Sequence, residues 1–120
     1  MATTLSILGY TTHGTAAGNY DGSSMDWASD GVRAADYYRG YGGLQSIRYQ
    51  LTNFVGIIYF EATLDPTAED ANWFVTLTVG DGSSAVTDLR SQSIVGNFTW
   101  MRVKVEGFDS GTINYINITY

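Results

Sequence analysis

The chain has 120 residues, no cysteine and a formal net charge of −6, from 12 acidic and 6 basic residues. This length suits one domain, the missing cysteines exclude disulfides and thiolate metal sites, and the dispersed cations provide no basic surface for nucleic acid. Because no apolar stretch approaches the roughly 20 residues of a membrane-spanning helix, we expect neither a nucleic-acid nor a membrane partner.

Glycine together with Asn, Asp or Ser punctuates the chain at intervals that suit β-strands, and only the stretch after Pro66 favours a helical turn. A first strand is predicted over residues 5–10, whereas residues 11–30 lack a regular pattern and predict a long loop or an arm. We therefore expect one domain overall, with an N-terminal strand and irregular region in residues 1–43 and the main strands in residues 44–120.

The main strands are predicted from the spacing of apolar side chains. Residues 47–52 and 101–106 alternate between apolar and polar types, which marks strands with one buried face. Residues 57–64 and 73–79 are more continuously apolar, and residues 116–120 form a last strand. Seven or eight short strands in a chain of this length predict an all-β, single-domain antiparallel β-sandwich, of which the jelly roll is one form.

An internal similarity links two of these strands. Residues 47–54 and 101–108 match in residue type at each position, and each block ends in a phenylalanine, Phe54 or Phe108, before a glycine. The pattern predicts a strand, a tight turn closed by the aromatic ring and a further strand, used twice. Chance similarity between two amphipathic hairpins is the alternative.

The residues that could carry catalysis are few. The single histidine, His13, lies in a glycine- and threonine-rich segment and is predicted to be an exposed loop residue. A carboxylate pair for a hydrolase could come from either of two groups of loop acids, but acids in such loops are more typical of turns. One group is Asp65, Glu69 and Asp70, and the other is Asp21, Asp26, Asp30 and Asp36. We predict that the protein is not an enzyme and has no catalytic residues.

Residues 21–24 and 81–84 both read Asp-Gly-Ser-Ser. Asp-Gly pairs are typical of tight turns, which is the reading we favour. A weak calcium site is the alternative, because loop carboxylates and carbonyls are the ligands that calcium takes. We assign no metal site and no cofactor.

Aromatic residues are abundant, with nine Tyr, five Phe and three Trp. Trp73 and Trp100 begin predicted strands and are expected in the core. The other candidates lie in the irregular region, where exposure would suit protein interfaces or carbohydrate stacking. These candidate contact residues are Trp27, Tyr37, Tyr38 and Tyr41.

Residues 98–108 read Phe-Thr-Trp-Met-Arg-Val-Lys-Val-Glu-Gly-Phe, residues 111–114 read Gly-Thr-Ile-Asn, and residues 51–56 read Leu-Thr-Asn-Phe-Val-Gly. Together they resemble a pattern found in small virion structural proteins of tailed, cyanophage-like bacteriophages. The resemblance covers residues 44–120 and implies a β-sandwich repeated on a particle, without a cofactor or catalytic residues. Residues 1–43 share no such pattern.

From these observations we expect a non-enzymatic structural protein located in the virion: a capsid decoration, neck, baseplate or fibre component. It would act by forming a homo-oligomer and by docking onto other virion proteins. The alternative is a carbohydrate-binding β-sandwich module that takes a glycan as its partner. A hydrolase built on the loop acids is a third hypothesis.

Overall fold

Two strands of 20 residues each form the centre of the fold in this computed structural model, which describes residues 3–37 and 43–120. The described residues contain eight strands and no helix: β1 (Thr4–Leu8), β2 (Thr11–Thr12), β3 (Trp27–Ala28), β4 (Val32–Arg33), β5 (Leu44–Thr63), β6 (Phe74–Val79), β7 (Val86–Val95) and β8 (Trp100–Thr119). All strand pairs are antiparallel and belong to one sheet. The predicted all-β antiparallel class is confirmed.

The shorter strands line the two long ones as rows. The β1–β4 row follows β8 along its whole length, from the pair Thr4–Thr119 to the pair Arg33–Trp100. The β6–β7 row follows β5 in the same way, and it ends where Val95 lies opposite Leu44. Across the sheet the order is therefore the β1–β4 row, β8, β5 and the β6–β7 row.

Both long strands bend sharply near their middle. The rings of Tyr49 and Phe60 lie 5.9 Å apart although both belong to β5, whereas a straight strand would separate them by about 36 Å. The bend falls where the pairing of β5 with β8 shifts register and where Asn53 has a positive φ of 49°. The sheet therefore folds over on itself, and its two halves face each other.

The core lies between these two halves and takes side chains from both. Its largest fully buried residues include Ile47, Leu51, Phe54, Ile58, Phe60, Met101, Phe108, Ile113, Ile116 and Ile118. The alternation predicted for residues 47–52 and 101–106 is confirmed, because the apolar member of each pair points into this core.

Two details of the predicted architecture differ. A sandwich of separate sheets, or a jelly roll, is not confirmed, because β5 and β8 run through both halves and join them in one sheet. The tight turns predicted after Phe54 and Phe108 are wrong, since both strands continue through these positions as bends. A bend lets each long strand keep its hydrogen-bonded neighbours on both sides of the fold.

The chain order repeats within this sheet. Along the chain, a row of short strands is followed by a long strand twice: the β1–β4 row by β5, and the β6–β7 row by β8. The β1–β4 row pairs with β8, and the β6–β7 row pairs with β5, so each row pairs with the long strand that lies in the other half of the chain. The two Asp-Gly-Ser-Ser segments each connect two strands of a row: one lies between β2 and β3, and the other lies between β6 and β7. The internal sequence similarity therefore coincides with a structural repeat, in which neither half can complete its sheet pairing alone.

The N-terminal region is part of the same sheet. β1 to β4 pair with β8 of the same chain, and Ile7, Leu8 and Tyr20 are buried in the shared core. Within residues 11–30, predicted to be irregular, only two strands of two residues form. The stretch after Pro66 remains irregular rather than helical.

Candidate functional surfaces

Trp27 does not lie on the surface, and its predicted exposure is wrong. It is 8% exposed, and its ring packs 5.3 Å from Tyr20 and 6.1 Å from Phe108. These rings anchor the connection between β2 and β3 onto the core. This packing adds to the few hydrogen bonds that strands of two residues can make. The indole nitrogen of Trp27 is buried and has no hydrogen-bond acceptor among the described residues.

Tyr37 is partly exposed, and its ring packs at the surface against one aromatic and one cationic side chain. Its ring meets the ring of Trp100 edge-on at 5.1 Å, and the guanidinium of Arg33 lies 4.9 Å from its centre. Tyr38 and Tyr41 lie outside the described residues. Trp73 and Trp100 are both partly exposed, so their predicted place in the core is wrong; each packs its ring on the outer side of the sheet.

A buried glutamine fastens the backbone near Tyr37 to the sheet. Gln45 is 1% exposed, and its Oε1 accepts a hydrogen bond of 3.0 Å from the N–H of Ala35. Its Nε2 donates to the carbonyls of Gly43 and Ile94, at 3.0 and 2.9 Å. One side chain therefore joins the end of the β1–β4 row to β7.

β7 forms a long, exposed sheet edge. Within the described part of the chain it pairs only with β5, in unbroken register from Leu44–Val95 to Leu51–Asp88. Most of its residues are exposed, including Leu89 at 53%. An edge of this kind presents unpaired backbone N–H and C=O groups to any strand that approaches.

The two charges of β7 neutralise each other. Asp88 and Arg90 form an ion pair, in which the Arg90 side chain is 68% exposed. The hydrogen bond to Asp88 raises the pKa of Arg90 above its usual value. Neither proline nor lysine occurs in β7, so two devices that commonly block sheet edges are missing from it.

Apolar residues are exposed at the end of the sheet beside β7. Leu44 and Val95 are cross-strand neighbours that are 55% and 74% exposed. Phe74 begins β6 and packs edge-on against Phe98, with ring centres 5.6 Å apart. We call these four residues the apolar end.

A cleft of about 430 Å³ lies between β1 and the segment that joins β3 to β4. Its lining includes the exposed ring of Tyr10, the amide of Asn19 and the carboxylate of Asp30. Asn19 Nδ2 donates to Asp30 Oδ1 at 2.9 Å and to the carbonyl of Ala28 at 3.0 Å, which fixes both side chains.

A second cleft of about 270 Å³ shares Ser29 and Asp30 with the first. Glu69, Trp73 and Arg102 form its remaining polar and aromatic lining. Arg102 Nε donates to Glu61 Oε1 at 2.8 Å, and the Arg102 guanidinium lies 4.5 Å from the centre of the Trp73 ring. We call the two clefts together the Asp30 groove.

Asp65, an acidic candidate in the loop between β5 and β6, has structural partners. Asp65 Oδ2 accepts from the N–H of Asn72 at 2.6 Å and from Thr63 Oγ1 at 3.2 Å, which closes the loop between β5 and β6. No group of three or more His, Cys, Asp or Glu residues that could hold a metal ion occurs within residues 3–37 and 43–120.

The two Asp-Gly-Ser-Ser segments are turns, as predicted. Asp21 Oδ1 accepts from the backbone N–H groups two and three positions later at 2.8 and 2.7 Å, and Asp81 Oδ1 does the same at 2.8 Å for both. The hydrogen bond from the Ser24 hydroxyl, with the backbone bonds, lowers the pKa of Asp21. The backbone N–H of Ser84 is the main cause that lowers the pKa of Asp81.

Sequence reasoning missed β7 and the Asp30 groove. β7 contains only four apolar residues and lacks strict alternation, so no strand was predicted there. The groove joins residues from five separate segments, which no local pattern reveals. Its only local signal is Trp73, at the end of a polar loop.

No protein-family model, no curated protein and no solved structure matches this chain. The described residues include no helix long and apolar enough to cross a membrane.

Proposed function

We propose that the protein is a non-enzymatic structural component of a tailed-phage virion, which acts by self-association and by docking onto other virion proteins. The resemblance of residues 44–120 to small virion proteins supports the proposal that the protein is part of a phage particle. The observation that carries the self-association is the exposed edge of β7, because a long edge without proline or lysine is a ready surface for pairing with another strand.

The partner at this edge is a second copy of the chain. If two β7 strands pair antiparallel around a two-fold axis through Leu89, Asp88 of each copy lies opposite Arg90 of the other. Leu89 then lies opposite itself, which buries two exposed apolar side chains. The charges of β7 are therefore self-complementary in this register.

The ion pair between Asp88 and Arg90 within one strand does not oppose their pairing across the two-fold axis. Asp88 and Arg90 pair within one strand at an exposed position, where an ion pair contributes little to stability. Re-pairing across the axis keeps one opposite charge beside each group. The edge also carries no net charge that would repel a second copy, although the whole chain has a net charge of −6.

The apolar end is the surface that suits docking to other virion proteins. Leu44, Phe74 and Val95 expose apolar area, and aromatic and apolar groups of this kind are enriched at protein interfaces. It lies at one end of β7, so a two-fold dimer would present one apolar end at each side.

Charge reversal tests the edge. Sedimentation equilibrium should show that Asp88→Arg and Arg90→Asp each weaken self-association about tenfold, because each variant places like charges opposite one another twice. An equimolar mixture of the two variants should associate as a heterodimer, since each charge then meets its opposite. Asp109→Arg changes an exposed acid outside β7 and serves as the control.

Association that is unchanged in both single variants would exclude the β7 edge while leaving another assembly surface in place. A wild-type chain that stays monomeric throughout would exclude the proposed function itself.

A further inference from the structure

We propose that the Asp30 groove binds a neutral oligosaccharide. No residue that lines the two clefts belongs to β7, so this site is separate from the edge at which we propose pairing. The proposal therefore does not depend on the mode of assembly.

The two clefts of the groove are adjacent. Ser29 and Asp30 line both of them, so a ligand that fills both clefts must contact this shared lining. The first cleft, at about 430 Å³, lies within the range of about 300–1,000 Å³ that is usual for small-molecule sites. An elongated ligand of at least two units suits this shape better than one compact group.

Each cleft offers one aromatic side chain. Tyr10 is 66% exposed in the first cleft, and Trp73 is partly exposed in the second. Trp73 is held in place because Gly31 has no side chain: a Cβ there would lie 3.2 Å from Trp73 Cη2. The Arg102 guanidinium covers one face of the Trp73 ring, so the apolar face of a sugar ring would pack on the part of Trp73 that is still exposed and on Tyr10.

Fixed polar groups complete the recognition surface. The Arg102 guanidinium is oriented by Glu61 and by Trp73, while its two Nη atoms have no hydrogen-bond acceptor among the described residues. Asp30 uses Oδ1 to accept from Asn19, and its Oδ2 has no donor within the described part of the chain. Preoriented donors and acceptors that converge on one groove suit hydroxyl groups, which both donate and accept.

The charge of the groove selects a neutral ligand. Asp30 and Glu69 line the groove together with one cation, Arg102, whose charge is already paired with the buried Glu61, so the local balance is acidic. A phosphate, a sulfate or a uronic acid would be repelled by the carboxylates. Sugar hydroxyls can donate to these same carboxylates and accept from Arg102 without that cost.

Isothermal titration calorimetry with a panel of hexasaccharides tests the proposal. The neutral probes are cello-, malto-, laminari-, xylo- and chito-oligosaccharides, and oligogalacturonate is the acidic probe. At least one neutral probe should bind, and oligogalacturonate should not. Asp30→Asn should weaken that binding about tenfold, because the charged acceptor is lost while the exposed position leaves the fold intact.

Trp73→Ala should weaken the same binding by a similar factor, and Glu106→Gln, an acid outside the groove, should leave it unchanged. Silence of all the neutral probes would overturn the proposal. Equal binding of oligogalacturonate, or unchanged affinity in Asp30→Asn, would also overturn it.

Discussion

Phe54 and Phe108 lie in contact at the bends of the two long strands, with ring centres 5.5 Å apart. Both are fully buried, and they occupy equivalent positions in the two similar sequence blocks. The ring of Phe108 also meets the rings of Tyr20 and His13, at 5.1 and 5.4 Å, and so anchors the connection between β2 and β3. The repeated phenylalanine therefore marks the point where the sheet folds over its own core.

The bend predicts that alanine substitutions at two glycines of β8 lower the free energy of unfolding by very different amounts. Gly111 has φ +91°, and a Cβ there would overlap the carbonyl group of Asn53 on β5. Gly107 has φ +59°, but a Cβ there would enter open space. Gly107→Ala should lower the free energy of unfolding by about 1 kcal/mol, from backbone strain alone. Gly111→Ala should lower it by about 3 kcal/mol or more, because the clash adds to the strain.

Urea denaturation of the two variants beside the wild type measures this difference. Equal losses of stability would show that the close approach of β5 and β8 at Gly111 is not a constraint on the fold.

A second prediction concerns Gln45. Gln45→Leu keeps an apolar core contact but leaves the N–H of Ala35 and the carbonyl of Ile94 without this buried partner. We expect a loss of about 3 kcal/mol in the free energy of unfolding, because unpaired buried polar groups cost about 1–3 kcal/mol each.

Gln50→Leu is the matched control, since Gln50 lies on the same strand and is partly exposed. It should change the free energy of unfolding by no more than about 0.5 kcal/mol. Equal effects of the two substitutions would contradict the role given to Gln45.

The two Asp-Gly-Ser-Ser turns predict part of the acid sensitivity. Hydrogen bonds lower the pKa of Asp21 and of Asp81 below the ordinary value of 3.8, so the folded chain holds these carboxylates ionised more strongly than the unfolded chain. Their contribution is complete above the unfolded pKa, and it is lost as the pH falls through the lower folded value. Stability should therefore decrease between about pH 4 and pH 2.

Urea midpoints measured from pH 5 to pH 2 test this dependence. The decrease should be smaller in Asp21→Asn and in Asp81→Asn, whose amide oxygens still accept the turn hydrogen bonds but do not titrate. Asp109→Asn should keep the wild-type profile. Profiles that coincide for all four proteins would remove the two turns as a source of acid sensitivity.

The two long strands, β5 and β8, show which features the sequence predicts and which it does not. The alternation around Tyr49 and Val103 predicted the inward faces of β5 and β8, because burial imposes a period of two on each strand. The same alternation does not tell a bend from a turn. The strand continues past Phe54 because neighbouring strands on both sides hold its hydrogen bonds, and that is a property of the whole sheet.

The candidate sites were harder to predict from the sequence, because they too depend on contacts between distant parts of the chain. Trp27 belongs to a segment that is predicted to be irregular and exposed, but its ring packs in the core against Tyr20 and against Phe108, which is distant in sequence. Arg102 and Trp73 also meet only in three dimensions. Local pattern predicts which strand faces are apolar, but not which loops converge.

The proposed register at β7 predicts a specific cross-link. The chain has no cysteine, so Leu89→Cys would introduce a single thiol at the two-fold axis. Directly opposed residues of an antiparallel pair have Cβ atoms about 4.5–5.5 Å apart, close to the spacing that a disulfide needs. Mild oxidation should therefore produce a covalent dimer on a non-reducing gel.

Ser91→Cys provides the matched control for this register. Its thiol lies two positions from the axis, and the equivalent thiol of the second copy would be about 13 Å away, from the rise per residue along a strand. It should remain monomeric under the same oxidation. Equal cross-linking of the two variants would refute the register.

The central claim is that this chain self-associates, and its mass in solution is the most direct test. Multi-angle light scattering of the purified wild-type protein, at two concentrations about tenfold apart, measures that mass. We predict a dimer or a larger assembly at the higher concentration. The mass of a single chain at both concentrations would contradict the account.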